Sequence, residues 1–319
     1  ETIVCDNETD VLMNFNRIVN KENVDIITGW NTDGFDMPWL YKRASELSIL
    51  DEFSKMSKFK NVTSKLLKKS KKSYIGQLIT VEYVDLPGRI QMDLLPLVRK
   101  GHNLNSYKLD NVSAHFITGP VIKIEYNDVD NTSVIFTKST VGLNNNNFVV
   151  FNIQDGYLEN KYMDGTKFEI SHLDKEMNCF TVNDKINLDL SQTCFWCLGK
   201  DDVSPKDIFR LQNESDEGRY LIAKYCLMDV LLCVELLNLL QILSKSMAMA
   251  NVCSIPLSWI FTRGEGIKAL SLVSKKCRER HYLIPTLYKD EDDSGYEGAV
   301  VLKPYPNIYL KEPVAVLDY

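Results

Sequence analysis

Two groups of residues have the types and spacing to do chemistry. Tyr225 and Asp229 lie four apart in a stretch with helical apolar spacing, so they share one helix face. That face is otherwise apolar (Leu221, Met228, Leu232, Leu236), and a carboxylate there must be paired, hydrogen-bonded or metal-bound. Asp36 follows the polar turn Asn31–Gly34 and precedes Pro38, which suits the first turn of a helix. The residues alone leave Asp36 as a helix N-cap or a ligand, and Asp229 as an ion-pair partner or a ligand. Carboxylates delivered by separate elements are what metal-assisted phosphodiester hydrolysis needs. Their oxygens converge on two divalent ions roughly 3.5–4 Å apart, which activate water and stabilise the leaving oxygen.

Other chemistry finds little support. Cys194-x-x-Cys197 is a lone pair of thiols, and Cys226 and Cys233 do not complete a zinc pattern. Gly264 and Gly266 fit neither a dinucleotide-binding nor a P-loop pattern. The four histidines are scattered without ligand spacing, and no Ser/His/Asp constellation is local.

The elements that must position these groups follow from periodicity and punctuation. Residues 7–19 have helical spacing, with Asn7 or Thr9 as cap. Residues 25–30 form a short apolar strand ending at Gly29, and a helix runs from Pro38 to about Leu47. From Lys55 to Lys72 there are eight lysines and no acid; this run reads as a solvated, flexible loop, with a phosphate-contacting surface as the alternative. Residues 79–84 and 89–94 read as strands joined in a hairpin by Pro87-Gly88, and 105–116 as a helix. Residues 119–193 are a β-rich insertion with strands at 121–126, 133–138, 147–153 and 168–171. Ser204-Pro205 opens a helix, a long one runs from about 217 to 243, and 254–261 and 268–277 are helical. Residues 296–301 and 314–317 read as strands, and 290–293 as an acidic turn.

At 319 residues the chain has room for about two domains. With 45% hydrophobic and 25% charged residues it is neither disordered nor fibrous. The net charge of −6 excludes a uniformly basic nucleic-acid-coating protein, but not a nucleic-acid enzyme with a local basic surface. Eight cysteines are too few for a disulfide scaffold; Cys194, Cys197, Cys226, Cys233 and Cys253 have the apolar neighbours of reduced, buried thiols. No signal pattern and no apolar run of 18 residues or more is present, so neither secretion nor membrane insertion is expected. The chain opens on Glu1 in an apolar stretch and ends in an apparent core strand, so a piece of a longer polypeptide is expected.

The constellation resembles one family. Asn31-x-x-x-Phe35-Asp36 is similar to the second exonuclease motif of family B DNA polymerases, and Tyr225-x-x-x-Asp229 to the third. Gly88–Leu95 and Leu104–Val112 resemble the stretch between those motifs. Pro256–Trp259 followed by Arg263–Lys268 resembles the segment linking exonuclease to palm, Tyr296–Ala299 the Tyr-x-Gly-Gly/Ala motif, and Val316–Tyr319 the start of polymerase motif A. All occur in the family's order. Residues 201–212, the insertion and residues 274–279 resemble most the enzymes of large nucleocytoplasmic, mimivirus-like DNA viruses.

The resemblance implies an α/β fold: an RNase H-like exonuclease core carrying the β-rich insertion (1–245), a helical linker (246–288) and the first strands of a polymerase palm (289–319). It implies a DNA-directed DNA polymerase with 3′–5′ proofreading, the segment alone being inactive. Asp36 and Asp229 would hold two exonuclease Mg²⁺ ions, and Tyr225 would position the water or scissile phosphate. Asn31 and Phe35 would contact the frayed primer end, Tyr296 and Gly298 the template backbone, and Asp318 would be a metal ligand of the polymerase site. The implied partners are primer–template DNA, a single-stranded 3′ end and dNTPs, with a sliding clamp or other processivity factor left open and no membrane. The implied location is intracellular, in a cytoplasmic viral factory or the host nucleus. The chain departs from the pattern where the linker has Gly264-Glu265-Gly266 in place of Gly-Gln-Gly. The first exonuclease motif, Asp-x-Glu, is expected upstream of Glu1. A stand-alone exonuclease of the same core, or an inactive DNA-binding copy, are the alternatives.

Overall fold

The computed structural model describes residues 2–72, 78–155, 158–199, 204–286, 300, 302–303, 305–311 and 313–315. The chain divides into two compact units, Glu1–Val273 and Ser274–Tyr319.

The first unit opens with α1 (Glu8–Lys21), capped by the Asn7 side chain accepting from the Asp10 N–H at 2.9 Å. β1 (Ile26–Gly29) then leads through a wide helical turn at Thr32–Asp36 into α2 (Met37–Glu46) and the short α3 (Leu50–Phe53). Leu12, Met37, Tyr41, Ala44, Phe53, Met56, Val84 and Leu86 form a core beneath these helices. The Lys55–Lys72 run is only partly a loop. Lys65–Lys72 form β2, paired antiparallel with β3 (Leu78–Asp85), and Glu82 lies opposite Lys68 and bonds it at 3.0 Å.

The expected hairpin between 79–84 and 89–94 does not form. Pro87-Gly88 does turn the chain, with Gly88 at φ 83° and the Arg89 N–H donating to the Leu86 carbonyl. But β3 pairs back onto β2, and β4 (Ile90–Asp93) pairs in parallel with β1. Arg89, buried at that turn, donates to the carbonyls of Met56 and Val24 and to Asn20 Oδ1, tying α1 and the segment after α3 to the start of β4. α4 (Leu94–Gly101) begins where the strand was expected to end, and α5 (Leu109–Phe116) is shorter than the helix expected from 105.

Strands β5 (Thr118–Asn127), β6 (Thr132–Thr137), β7 (Phe148–Asp155), β8 (Leu158–Lys161), β9 (Phe168–Asp174), β10 (Cys179–Val182) and β11 (Thr193–Gly199) follow. β8, β10 and β11 escape the sequence pattern. The order β11-β5-β6-β10-β9-β7, with β7 also paired to β11, closes a six-stranded antiparallel barrel, to which β8 is added on β7. Phe151, Phe180, Ile135, Ile170 and Trp196 fill its interior without exposure. A Cβ at Gly119 would lie 2.8 Å from Trp196 Nε1, so glycine is required for the indole to pack there. Cys194 faces the interior and Cys197 the opposite face of β11, as the period-two alternation of a strand dictates, so the two thiols do not form a joint site.

α6 (Pro205–Glu214) starts with a Ser204–Asp207 capping box. α7 (Asp216–Leu239) ends earlier than expected: Gln241, at φ 52°, breaks the helix, and α8 (Ile242–Cys253) continues at 47° to it. α9 (Leu257–Thr262) and α10 (Glu265–Glu279) follow. Glu265 accepts from Lys100 and, at 3.1 Å, from Lys268, which hold its carboxyl below the usual range, so the charge in the Gly264–Gly266 segment is compensated. Among the described residues no single helix is long and apolar enough to cross a membrane. All eight cysteines are free; Cys194, Cys233 and Cys253 are buried, whereas Cys226 is exposed, contrary to expectation.

The second unit contains the end of α10 and an irregular segment with Leu283, Leu302, Tyr305 and Leu310 exposed. Val314 and Ala315 are exposed and outside any strand, and the rest of the strand expected at 314–317 lies outside the described residues. The acidic turn at 290–293 and the residues Tyr296, Gly298 and Asp318 lie outside the described residues.

Candidate exonuclease site

The site sits at the carboxyl ends of two parallel strands, where open α/β sheets receive ligands. Gly29 of β1 and Asp93 of β4 lie opposite each other. Asp93 is 5% exposed and does three jobs at once. Its Oδ1 accepts from the Leu95 N–H at 3.0 Å, capping α4, and from the Asn31 N–H at 2.8 Å; its Oδ2 accepts from the Asp33 N–H at 3.2 Å. Burial raises the Asp93 carboxyl, and these three N–H groups and Arg99 oppose the rise.

The clamp sets the turn. Asn31 takes the left-handed conformation (φ 63°, ψ 25°), and its carbonyl accepts from the Phe35 N–H at 2.9 Å. A Cβ on Gly34 would come 2.5 Å from Asn31 Oδ1, so the Asn31 side chain lies against this glycine. Phe35 projects from the turn, 62% exposed. Asp36 begins α2, yet its side chain makes no cap hydrogen bond. The N-cap alternative is therefore not realised, and burial of Met37 and Tyr41 anchors the helix instead. Partial burial raises the Asp36 carboxyl; its own backbone N–H opposes this and the Asp93 charge adds to it. Asp33 is pushed up to about 6, first by burial and then by Asp93.

Across the site runs α7, held by buried Leu232, Cys233 and Leu236. Asp229 stands one turn above this anchor and Tyr225 two. The structure brings Asp36, Tyr225 and Asp229 into the wall of one cavity of about 590 Å³, with Thr28, Thr32 and Trp30. Asn31 and Phe35 are not in its wall. Two residues that sequence reasoning missed are Lys108 and Asp110, at the start of α5. Both belong to the Leu104–Val112 phrase; a polar pair ahead of a buried helix face was the signal available.

The donor set is made of carboxylate oxygens, which suit Mg²⁺. Among the described residues no group of three or more His, Cys, Asp or Glu is placed to hold a metal ion, so the cavity offers part of a ligand set rather than a closed one. The fit is by donor type: Asp36 and Asp229 face one space from separate elements, as two-metal hydrolysis requires.

Comparison with known proteins gives the context. Residues 1–112 match the family described as "DNA polymerase family B, exonuclease domain", and residues 255–319 match "DNA polymerase family B". A DNA polymerase of Pyramimonas orientalis virus is 36% identical over 323 aligned residues, covering 100% of this chain and 25% of that protein. A DNA polymerase of Acanthamoeba polyphaga mimivirus is 35% identical over 279 residues, covering 72% of this chain and 16% of the relative. The DNA polymerase delta catalytic subunit of Dictyostelium discoideum is 30% identical over 314 residues, covering 98% and 21%. The chain thus spans about a quarter of the length of the first of these. The solved family B DNA polymerase of Pyrobaculum calidifontis superimposes with a TM-score of 0.48 at 17% identity, covering 96% of this chain and 28% of that one.

Proposed function

The chain belongs to the family B DNA polymerases, and from that membership we propose that it is the segment of a replicative DNA polymerase carrying part of the 3′–5′ proofreading site and the entry to the palm. In this reading residues 1–245 are proofreading domain with the insertion at 119–193, 246–288 are linker, and 289–319 open the palm. The observation that carries it is the convergence of Asp36, Tyr225 and Asp229 on one cavity.

In the full-length enzyme the polymerase adds deoxynucleotides to a primer, and the cavity removes mismatched 3′ ends. Asp36 and Asp229 would hold Mg²⁺ at the exonuclease site, and Asp318 would hold it at the polymerase site. When bound, the ions supply activation of water and stabilisation of the leaving oxygen. Each protein group has its own task. The Tyr225 hydroxyl donates a hydrogen bond that orients the water or the scissile phosphate. Phe35, exposed at the turn, stacks on a base of the frayed end. Asn31 acts on the same end through the turn, since its side chain braces Gly34 beneath Phe35. Lys108 beside the carboxylates offsets charge on the phosphate backbone. Tyr296 and Gly298 contact the template backbone. Substrates are primer–template DNA, a single-stranded 3′ end and dNTPs, a sliding clamp or another processivity factor is left open as a partner, and the place of action is a viral factory in the cytoplasm or the nucleus of an infected cell.

A stand-alone exonuclease fits less well, because residues 255–319 match the polymerase family and an exonuclease needs no palm. The test is release of 3′ nucleotides from single-stranded DNA with Mg²⁺ by the full-length enzyme and its Asp36→Ala variant. A rate loss of about 10³-fold or more supports the reading, and equal rates overturn it.

A further inference from the structure

The outer wall of a closed barrel normally meets solvent, and at one place here it carries a buried amide. Strand register sets Pro120, Phe195, Asn152 and Lys161 side by side across β5, β11, β7 and β8. Paired residues share a face, and this row faces away from Phe151 and Trp196 inside the barrel. Asn152 is nevertheless only 6% exposed. Its Nδ2 donates to Glu159 Oε1 at 2.7 Å and to Cys197 Sγ at 3.4 Å. A carboxylate only accepts, so the bond to Glu159 fixes which way the amide points. Among the described residues Asn152 Oδ1 has no hydrogen-bond partner, and it is buried. Such an atom carries an uncompensated desolvation cost unless something docks on it.

Asn152 lies in the wall of a cavity of about 780 Å³, within the roughly 300–1,000 Å³ range of small-ligand sites. The same wall holds the half-buried ring of Phe195, His115 of α5, and Lys161 on the exposed side. Asp110 lines both this cavity and the one containing Asp36, Tyr225 and Asp229, so the two adjoin across the first turn of α5.

We propose that the barrel cavity is a base-binding subsite for the single strand whose 3′ end enters the neighbouring cavity. This deepens the exonuclease reading and rests on it. Phe195 and His115 supply faces for a base, as single-strand binding uses them. Lys161 meets a backbone phosphate at the rim. Asn152 and Glu159 line the wall that meets the base edge, and a base donor that reaches Asn152 Oδ1 supplies the partner it lacks among the described residues. Adenine, cytosine and guanine offer exocyclic amino donors to that atom; thymine offers one N–H between two carbonyls, which an acceptor repels. The site therefore selects amino-bearing bases.

The test is fluorescence anisotropy of the 319-residue chain with labelled oligo-dC and oligo-dT in EDTA, where no strand is cut. Oligo-dC binds about fivefold tighter, Asn152→Leu abolishes that preference, and Lys161→Ala weakens both oligonucleotides about threefold. Equal binding of the two by the unaltered chain, or no binding of either, overturns the proposal. So does a preference that survives in an Asn152→Leu chain with an unchanged melting temperature. Should that variant not fold, cross-linking of 5-iodo-deoxycytidine DNA to the unaltered chain decides. Adducts on the peptides bearing His115 or Phe195 support the subsite, and adducts confined to other peptides overturn it. Hydrolysis by the full-length Asp36→Ala enzyme at the unaltered rate refutes the exonuclease reading alone. Loss of hydrolysis beside an unchanged oligo-dC/oligo-dT ratio in Asn152→Leu refutes the subsite alone.

Discussion

The backbone N–H of Asn31 donates to Asp93 Oδ1 at 2.8 Å, and through this bond the end of β4 dictates the path of the chain leaving β1. The same carboxylate caps α4 and holds the Asp33 N–H, so one buried side chain sets the turn that presents Phe35 and Asp36.

Asp93→Ala removes a cap and two turn anchors together. The variant should lose about 2–3 kcal/mol of stability, read by urea denaturation. A loss below about 0.5 kcal/mol would mean that the turn holds itself.

Gly34→Ala tests the turn without touching the carboxylates. The added methyl would meet Asn31 Oδ1 at 2.5 Å and displace a flexible amide, so the melting temperature should change little. Excision by the full-length enzyme should fall about tenfold or more, because the displaced Asn31 side chain no longer braces the turn that carries Phe35 and Asp36. An unchanged rate would detach Asn31 from the site.

Asp33 predicts a pH dependence. Its carboxyl is raised to about 6 in the folded chain, above its ordinary value near 3.8, so the folded state holds the proton more tightly than the unfolded one. The stability it lends is complete below the unfolded value and is lost as pH rises from about 4 through about 6. Asp33→Asn should flatten that part of the stability–pH curve in EDTA and stabilise the chain at pH 7 by at most about 3 kcal/mol. Denaturant midpoints across pH 4–8 measure it, and parallel curves for the two proteins would refute it.

Phe180→Ala cuts the barrel interior. Phe180 is fully buried, stacks near Phe151 and meets Trp196 edge-on. The substitution should cost about 3–5 kcal/mol, read by thermal or chemical unfolding. A cost under about 1 kcal/mol would contradict a closed, packed barrel.

Local chemistry was legible in the sequence, and long-range pairing was not. Asn7 and the Ser204–Asp207 box announce their helices because a cap acts within three residues. The parallel pairing of β1 with β4 has no such local mark, since the intervening chain forms helices and a separate ribbon. β2 was hidden by composition: its lysines mask the strand, and the Lys68–Glu82 pair that steadies it exists only once β3 lies alongside. The break at Gln241 has neither glycine nor proline to announce it. Of the site, type and spacing left Asp36 and Asp229 open between structural and ligand roles, and the family resemblance singled them out with Tyr225; the fold sets the three in one cavity wall. Asp110 was not singled out, because an acid in a first turn reads as ordinary helix chemistry until the fold sets it beside the cavity.

The most direct measurement is the rate at which the full-length enzyme releases 3′ nucleotides from single-stranded DNA in Mg²⁺, for the unaltered protein and for Asp36→Ala, Asp229→Ala and the double variant. If both carboxylates serve one metal-dependent site, each single change removes nearly all activity and the double change adds little to either. Additive losses, or a single variant that excises at the unaltered rate, would contradict the shared site.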